Sequence, residues 1–309
     1  MFSHRLLQKK VFPKLKEDKP SFLIVIDNFR FDQWKALQPM IEPYLHVEAE
    51  ELYCSIIPST TQFARNALFA GLMPYDIKKT YPDLWLDEDE EGNKNQNEHL
   101  FLQKQLLRYN INIKTTYHKV LNVTYGKRMI DNLPNLMHNK LNVIVYNFID
   151  MLSHARTESD LVRELAEDEK AYRSVTQTWF AHSPLLEVLK FLSDKDVNVF
   201  ITTDHGSVRV NKPVKIKATK EASVNLRYKV GRLLDYNEKD VFAVSKPEDI
   251  FLPRLNILSP YIFARANDFF AYPNNYNYYV QYYKNTFQHG GISMEEILIP
   301  FIHLVNKRG

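Results

Sequence analysis

Three short apolar runs, each stopping on a carboxylate, constrain this chain more than any other feature. SFLIVID ends at Asp27, NVIVYNFID at Asp150 and VNVFITTD at Asp204. Each is rich in β-branched and aromatic residues, the pattern of a strand covered on both faces. Helical patterns lie between them, at Thr61–Leu72, Glu98–Tyr109 and Ser159–Leu192, the last expected to break near Pro184. Strands alternating with helices predict an α/β fold with a mostly parallel central sheet and helices on both faces. Ligands of such sheets sit at the carboxyl ends of the strands. The three aspartates are therefore expected to converge on one edge.

The rest of the composition narrows the function. With 40 basic and 37 acidic residues, the net charge of +3 leaves no global footprint for nucleic acid or an anionic membrane. A single cysteine excludes an internal disulfide and a cysteine zinc cage, and suits a reducing, cytoplasmic setting. The longest apolar runs, such as Phe22–Ile26, fall far short of the roughly 20 residues of a membrane span. Residues 1–20 read as a basic linker or short helix, followed by one domain over 21–309. The polar stretch 87–98 (DEDEEGNKNQNE) reads as an exposed loop and lacks the spacing of a calcium loop. Residues 207–232 carry eight Lys or Arg and one Glu, either as a solvated hairpin face or as a basic wall for an anion. The six tyrosines of 272–283 favour a packed strand or an interface, with base stacking as the alternative.

Four segments supply hard metal ligands. Asp27 ends the first strand. Asp150 and His154 stand four apart, at a strand end and the turn after it. Asp204-His205-Gly206 sets both ligand types side by side, and His289 lies in a QHGG stretch near the end. Imidazole with carboxylate oxygen suits zinc, with manganese the looser alternative. Six ligands exceed one tetrahedral site, so two metals are expected, leaving open positions for substrate. His4, His46, His99, His118, His138, His182 and His303 have no such context and read as structural. PSTTQFARN (58–66) puts hydroxyls at a helix start, where N–H groups and the helix dipole favour an anion. Thr61 or Thr60 beside a divalent metal could ionise and attack phosphorus. Arg65, four residues after Thr61, could hold a substrate oxygen.

The order Asp27, Thr61, Asp150-x3-His154, Asp204-His205-Gly206, His289 resembles that of the alkaline phosphatase superfamily. IDNFRFDQW, PSTTQFARNALFAGLMP, TTDHG and QHGGISMEEILIP are similar to signature stretches of its PglZ branch, most of all to the output domain of PorX-type response regulators of bacterial type IX secretion. The resemblance implies two zinc ions, one held by Asp27, Thr61, Asp204 and His205, the other by Asp150, His154 and His289. It favours Thr61 over Thr60 as nucleophile, by the P-T-x-T pattern of nucleotide phosphodiesterases, with Thr60 and Arg65 contacting substrate. Cys54 does not match the C-x-P-x-R of sulfatases. The implied activity is phosphodiester hydrolysis of short linear or cyclic oligonucleotides. The implied context is a cytoplasmic protein with an upstream receiver domain, a phosphorylation-driven homodimer, and a signalling or secretion partner. A regulatory interaction module with a structural zinc site, or a phosphomonoesterase, would use the same residues.

Overall fold

A computed structural model of the chain describes residues 1–88, 90–219, 222–255 and 259–307. Its centre is a six-stranded sheet. In chain order its first five strands are β1 (Ser21–Ile26), β2 (Leu45–Cys54), β3 (Thr115–Val120), β4 (Leu141–Tyr146) and β5 (Asn198–Thr202), and Leu298–Asn306 closes it. The spatial order is β2, the closing strand, β5, β1, β4, β3. β3, β4, β1 and β5 run parallel, while the closing strand is antiparallel to both β5 and β2. Every residue of β1, β4 and β5 is buried, because helices cover both faces. Leu23 and Val25 of β1 face a core shared with Phe63, Leu68 and Phe101. Phe22, Ile24 and Ile26 face the opposite core with Trp34, Leu133, Tyr172 and Leu189.

Register sets up the functional edge. Ile26 stands opposite Tyr146, and Val25 opposite Thr202. Continued past the strand ends, this register sets Asp27 level with Asn147 on one side and with Asp204 on the other. A smaller layer of short strands lies between β5 and the closing strand. It includes an antiparallel set formed by Tyr228–Val230, Tyr261–Ala264 and Val241–Val244.

Several local expectations are corrected. β4 ends at Tyr146, and Asp150 and His154 belong to a helix, Phe148–Glu158. Asn147 and Phe148 resemble strand in the sequence because they follow four β-branched or aromatic residues without a break. The helical pattern of 159–192 is three helices, Asp160–Leu165, Glu169–Ala181 and Pro184–Ser193. Asp168 and Ser183 cap the second and third through side-chain oxygens. Of the two readings of residues 1–20, the structure takes the helical one, with helical turns over residues 3–16: Leu6, Leu7 and Val11 are fully buried in the core, and Cys54 N–H donates to the Met1 carbonyl at 2.8 Å. Their apolar spacing is helical, which the surrounding lysines obscure. The tyrosine stretch forms a helix, Tyr276–Tyr283, not a strand. The 87–98 loop turns several side chains inward, Glu98 completely. Asp89 of that loop, and Lys220 and Glu221 of the basic stretch, lie outside the described residues. Among the described residues no helix is long and apolar enough to cross a membrane.

Candidate metal centre

Six of the expected ligands gather at the carboxyl edge as two triads. Asp27, Asp204 and His205 form one, fully buried; Asp150, His154 and His289 form the other, partly open. Within each triad one ligand atom per residue lies within 4.8 Å of the others. The His205 and His289 rings stack at 4.2 Å, which joins the two groups into one cleft. Asp27 comes directly off β1, and Asp204 and His205 follow β5 by two and three residues. Asp150 and His154 share a helix face at i,i+4 spacing.

Hydrogen bonding fixes both inner imidazoles. His205 Nδ1 lies 3.0 Å from the Gly206 carbonyl, and His289 Nδ1 lies 3.2 Å from that of Ser59. A carbonyl only accepts, so each Nδ1 carries the proton and each Nε2 presents a lone pair to the cleft. That is how proteins orient imidazoles toward a metal. His205 Nε2 is 3.6 Å from Asp27 Oδ1, and His289 Nε2 is 3.7 Å from Asp150 Oδ1. Asp204 Oδ2 is buried and makes no hydrogen bond among the described residues. A donor set of carboxylates and imidazoles, with one carboxylate oxygen left without a hydrogen bond, fits a divalent cation.

The buried charges of the site shift one another. Burial pushes the Asp27 carboxyl up to about 6; Asp204 and Glu98 add to this, and Arg65 and His205 oppose it. Burial drives His289 down to about 3, helped by His205. At His205 burial also pushes down, but Asp204 and Asp27 outweigh it and leave the imidazole raised.

Thr61 opens the helical turn Thr61–Arg65, with Thr60 extended before it. Its Oγ1 lies 3.3 Å from Asp27 Oδ1 and 3.2 Å from His205 Nε2. Thr60 Oγ1 is buried and has no hydrogen-bond partner among the described residues. Arg65, expected to face substrate, points inward instead. It is buried beneath the triad, with Nη1 3.0 Å from Asp27 Oδ2, Nε 2.8 Å from Glu98 Oε1 and Nε 3.8 Å from Asp204 Oδ2. The Thr61–Arg65 turn carries its guanidinium over the carboxylates, so it neutralises them from behind.

Other members of the site left little trace in the sequence. Asn28, at φ 62°, turns back to donate from Nδ2 toward Asp150 Oδ1 at 3.4 Å and from its backbone N–H to Asp204 Oδ1 at 3.4 Å. Asn147 donates to Asp27 Oδ2 at 3.1 Å. Glu98 accepts from Arg65, from Lys119 at 2.9 Å and from the Tyr117 hydroxyl. At the start of a helix pattern, Glu98 reads as an ordinary first-turn acid. Gly206 is explained by a close approach: a Cβ there would lie 2.1 Å from the Glu295 carbonyl oxygen.

Known proteins match this fold. Murine ectonucleotide pyrophosphatase/phosphodiesterase 5 superposes with a TM-score of 0.55 at 11% identity, over 94% of this chain and 88% of that one. Its inactive threonine-to-alanine variant in complex with AMP superposes at 0.54. Phosphonoacetate hydrolase from Sinorhizobium meliloti 1021, in complex with phosphonoformate, gives 0.57 at 11% identity, over 92% and 89%. No curated protein matches the sequence significantly. The family profile of the BREX system PglZ alkaline phosphatase-like domain matches residues 6–304, so the chain belongs to the PglZ family of alkaline phosphatase-like domains.

Proposed function

We propose that the chain is a metal-dependent phosphodiesterase that uses Thr61 as its nucleophile. The observation that carries this is the placement of Thr61 Oγ1 between Asp27 and His205, at the start of a helical turn and facing the two-triad cleft. Asp27, Asp204 and His205 would hold one cation, and Asp150, His154 and His289 the other. Two bound cations supply Lewis-acid stabilisation of the phosphate charge and favour ionisation of the neighbouring hydroxyl. Thr61 Oγ1, having given up its proton, forms the bond to phosphorus as the bond to one ester oxygen breaks and that alcohol leaves; water then attacks the threonine-bound phosphoryl group, breaking its bond to Oγ1, releasing the phosphomonoester and restoring the Thr61 hydroxyl. Asn28 and Asn147 hold Asp150, Asp204 and Asp27 in place by hydrogen bonds. Arg65 offsets the charge of the buried Asp27 carboxylate, and Glu98 holds Arg65 there.

A diester fits better than a dianionic monoester, because Arg65, the guanidinium nearest the triad, is occupied by internal carboxylates. Nucleotide substrates are supported by the phosphodiesterase among the structural neighbours, a protein solved with AMP. The inactivity of that neighbour's threonine variant agrees with a threonine nucleophile. The wider role, an output domain under a phosphorylated receiver in type IX secretion, rests on the resemblance of the PSTTQFARN and QHGGISMEEILIP stretches and belongs to the same proposal.

Thr61→Ala should reduce hydrolysis of a chromogenic phosphodiester to background while bound metal, measured by elemental analysis, stays at the wild-type level. Hydrolysis by Thr61→Ala at the wild-type rate would remove Thr61 from the reaction.

A further inference from the structure

The basic stretch and the tyrosine stretch, far apart in sequence, meet in the fold. Strand Lys212–Lys215 pairs in parallel with Asp268–Ala271, so the chain on either side of that pair runs together. Between them opens a cavity of about 740 Å³. Tyr272, Tyr279 and Tyr283 supply aromatic walls, Leu226 and Phe270 an apolar floor, and Lys217 and Lys229 the charge. No ligand of either metal triad lines it.

Two polar groups at this cavity are left with bonding capacity. Lys229 is almost wholly buried, and among the described residues its ammonium has one hydrogen-bond acceptor, the Ser223 carbonyl at 2.6 Å, for three donors. Burial brings this lysine down to about 8, with Glu88 opposing, so it remains charged at neutral pH. The Thr219 hydroxyl oxygen is buried and has no hydrogen-bond partner among the described residues. Buried polar groups are normally satisfied, so both point to a missing partner.

The aromatic side is built for flat ligands. Lys229 lies 5.0 Å from the Tyr272 ring centroid, and at the next turn Lys215 lies 4.9 Å from that of Tyr276. On the helix Tyr276–Tyr283, Tyr279 stacks with Tyr283 at 6.2 Å and 13°, and no residue of that helix is buried. Lysines interleaved with open tyrosine faces are the chemistry that binds a nucleotide, with the base on the rings and the phosphate on the ammonium groups. The volume is ample for base, sugar and phosphate. Lys217 shares its charge with Asp235 at 3.0 Å, which places it at the solvent rim.

We propose that this cavity is a second ligand site, separate from the metal cleft, and that it binds a nucleoside phosphate by stacking on Tyr272 and Tyr279 and by phosphate contact with Lys217 and Lys229. The proposal does not depend on turnover in the cleft.

Isothermal titration of AMP into the full chain tests it, with Tyr279→Ala, Lys217→Ala and Asp150→Asn in parallel. Tyr279 and Lys217 are exposed, so neither substitution threatens folding. Tyr279→Ala should weaken AMP about tenfold, within the range for loss of a stacked base. Lys217→Ala should weaken it severalfold and flatten its salt dependence. Asp150→Asn should leave it within twofold, and ribose 5-phosphate should bind more weakly than AMP to every form. Absence of AMP binding would overturn the proposal. So would binding that vanishes in Asp150→Asn but survives Tyr279→Ala, since the nucleotide would then lie in the metal cleft. Failure of the phosphodiesterase reading would show separately, as a wild-type chain that cleaves no diester.

Discussion

At the scale of single residues, Arg65 is the group whose role changed most between sequence and structure. Counting four residues from Thr61 placed it on the substrate side. The structure puts it beneath Asp27, Asp204 and Glu98, three carboxylates that share its guanidinium. Removing one member of such a buried network leaves charges uncompensated. Arg65→Met should therefore destabilise the metal-free chain by about 3–5 kcal/mol. Added zinc should restore part of this, because a dication offsets the same carboxylates. Urea denaturation with and without zinc measures both effects; a loss below ~1 kcal/mol would mean that the carboxylates are balanced by other groups. Gly206 makes a second residue-level prediction. The Glu295 carbonyl closes on the place a side chain would occupy. Gly206→Ala should push the Asp204–His205 segment out of register and lower both melting temperature and metal content. Melting and metal content equal to wild type would refute that tightness.

At the scale of elements, the strands that lead into the ligands were legible and the helix that carries two of the six was not. β1 and β5 announce themselves because a parallel strand buried on both faces must be apolar throughout, and each stops within two residues of its aspartate. Helix Phe148–Glu158 was hidden because Asn147 and Phe148 extend an apolar run, and apolar periodicity alone does not separate a buried strand from a helix start. The hydrogen bonds of Asn28 and Asn147 to the candidate metal ligands, and of Glu98 to Arg65, were equally hidden. They depend on which strand ends stand side by side, a property of register and not of local pattern. The closing strand supplies a pH prediction. His303 packs on Phe200 at 4.7 Å and bonds Asn198 Oδ1 at 2.8 Å. Burial, with Lys14 adding to it, holds the imidazole down at about 4, against an ordinary 6.5. Between those values the unfolded chain takes up a proton that the folded chain refuses, so stability present above pH 6.5 drains as pH falls toward 4. His303→Gln should flatten that part of the stability profile measured by chemical denaturation. An unchanged slope would show that other groups set it.

At the scale of the whole molecule, both faces of one sheet contribute to one cleft. The Thr61 turn comes from the side of the first core, and the Asp150–His154 helix from the side of the second. Their meeting at the strand ends explains why residues so distant in sequence gather. The N-terminal segment belongs to this architecture, since Leu6, Leu7 and Val11 complete the first core. Deleting residues 1–16 should lower the melting temperature sharply or prevent soluble expression. A truncated chain that melts like the full one would show that the segment is only appended. The central claim is that the two carboxylate–imidazole triads hold two divalent cations beside Thr61. Elemental analysis of the purified chain, of Asp27→Asn, of Asp150→Asn and of the double variant tests it most directly. The account predicts two equivalents of metal, then one, one and none; metal content that is zero in the wild type, or unchanged in the double variant, would contradict it.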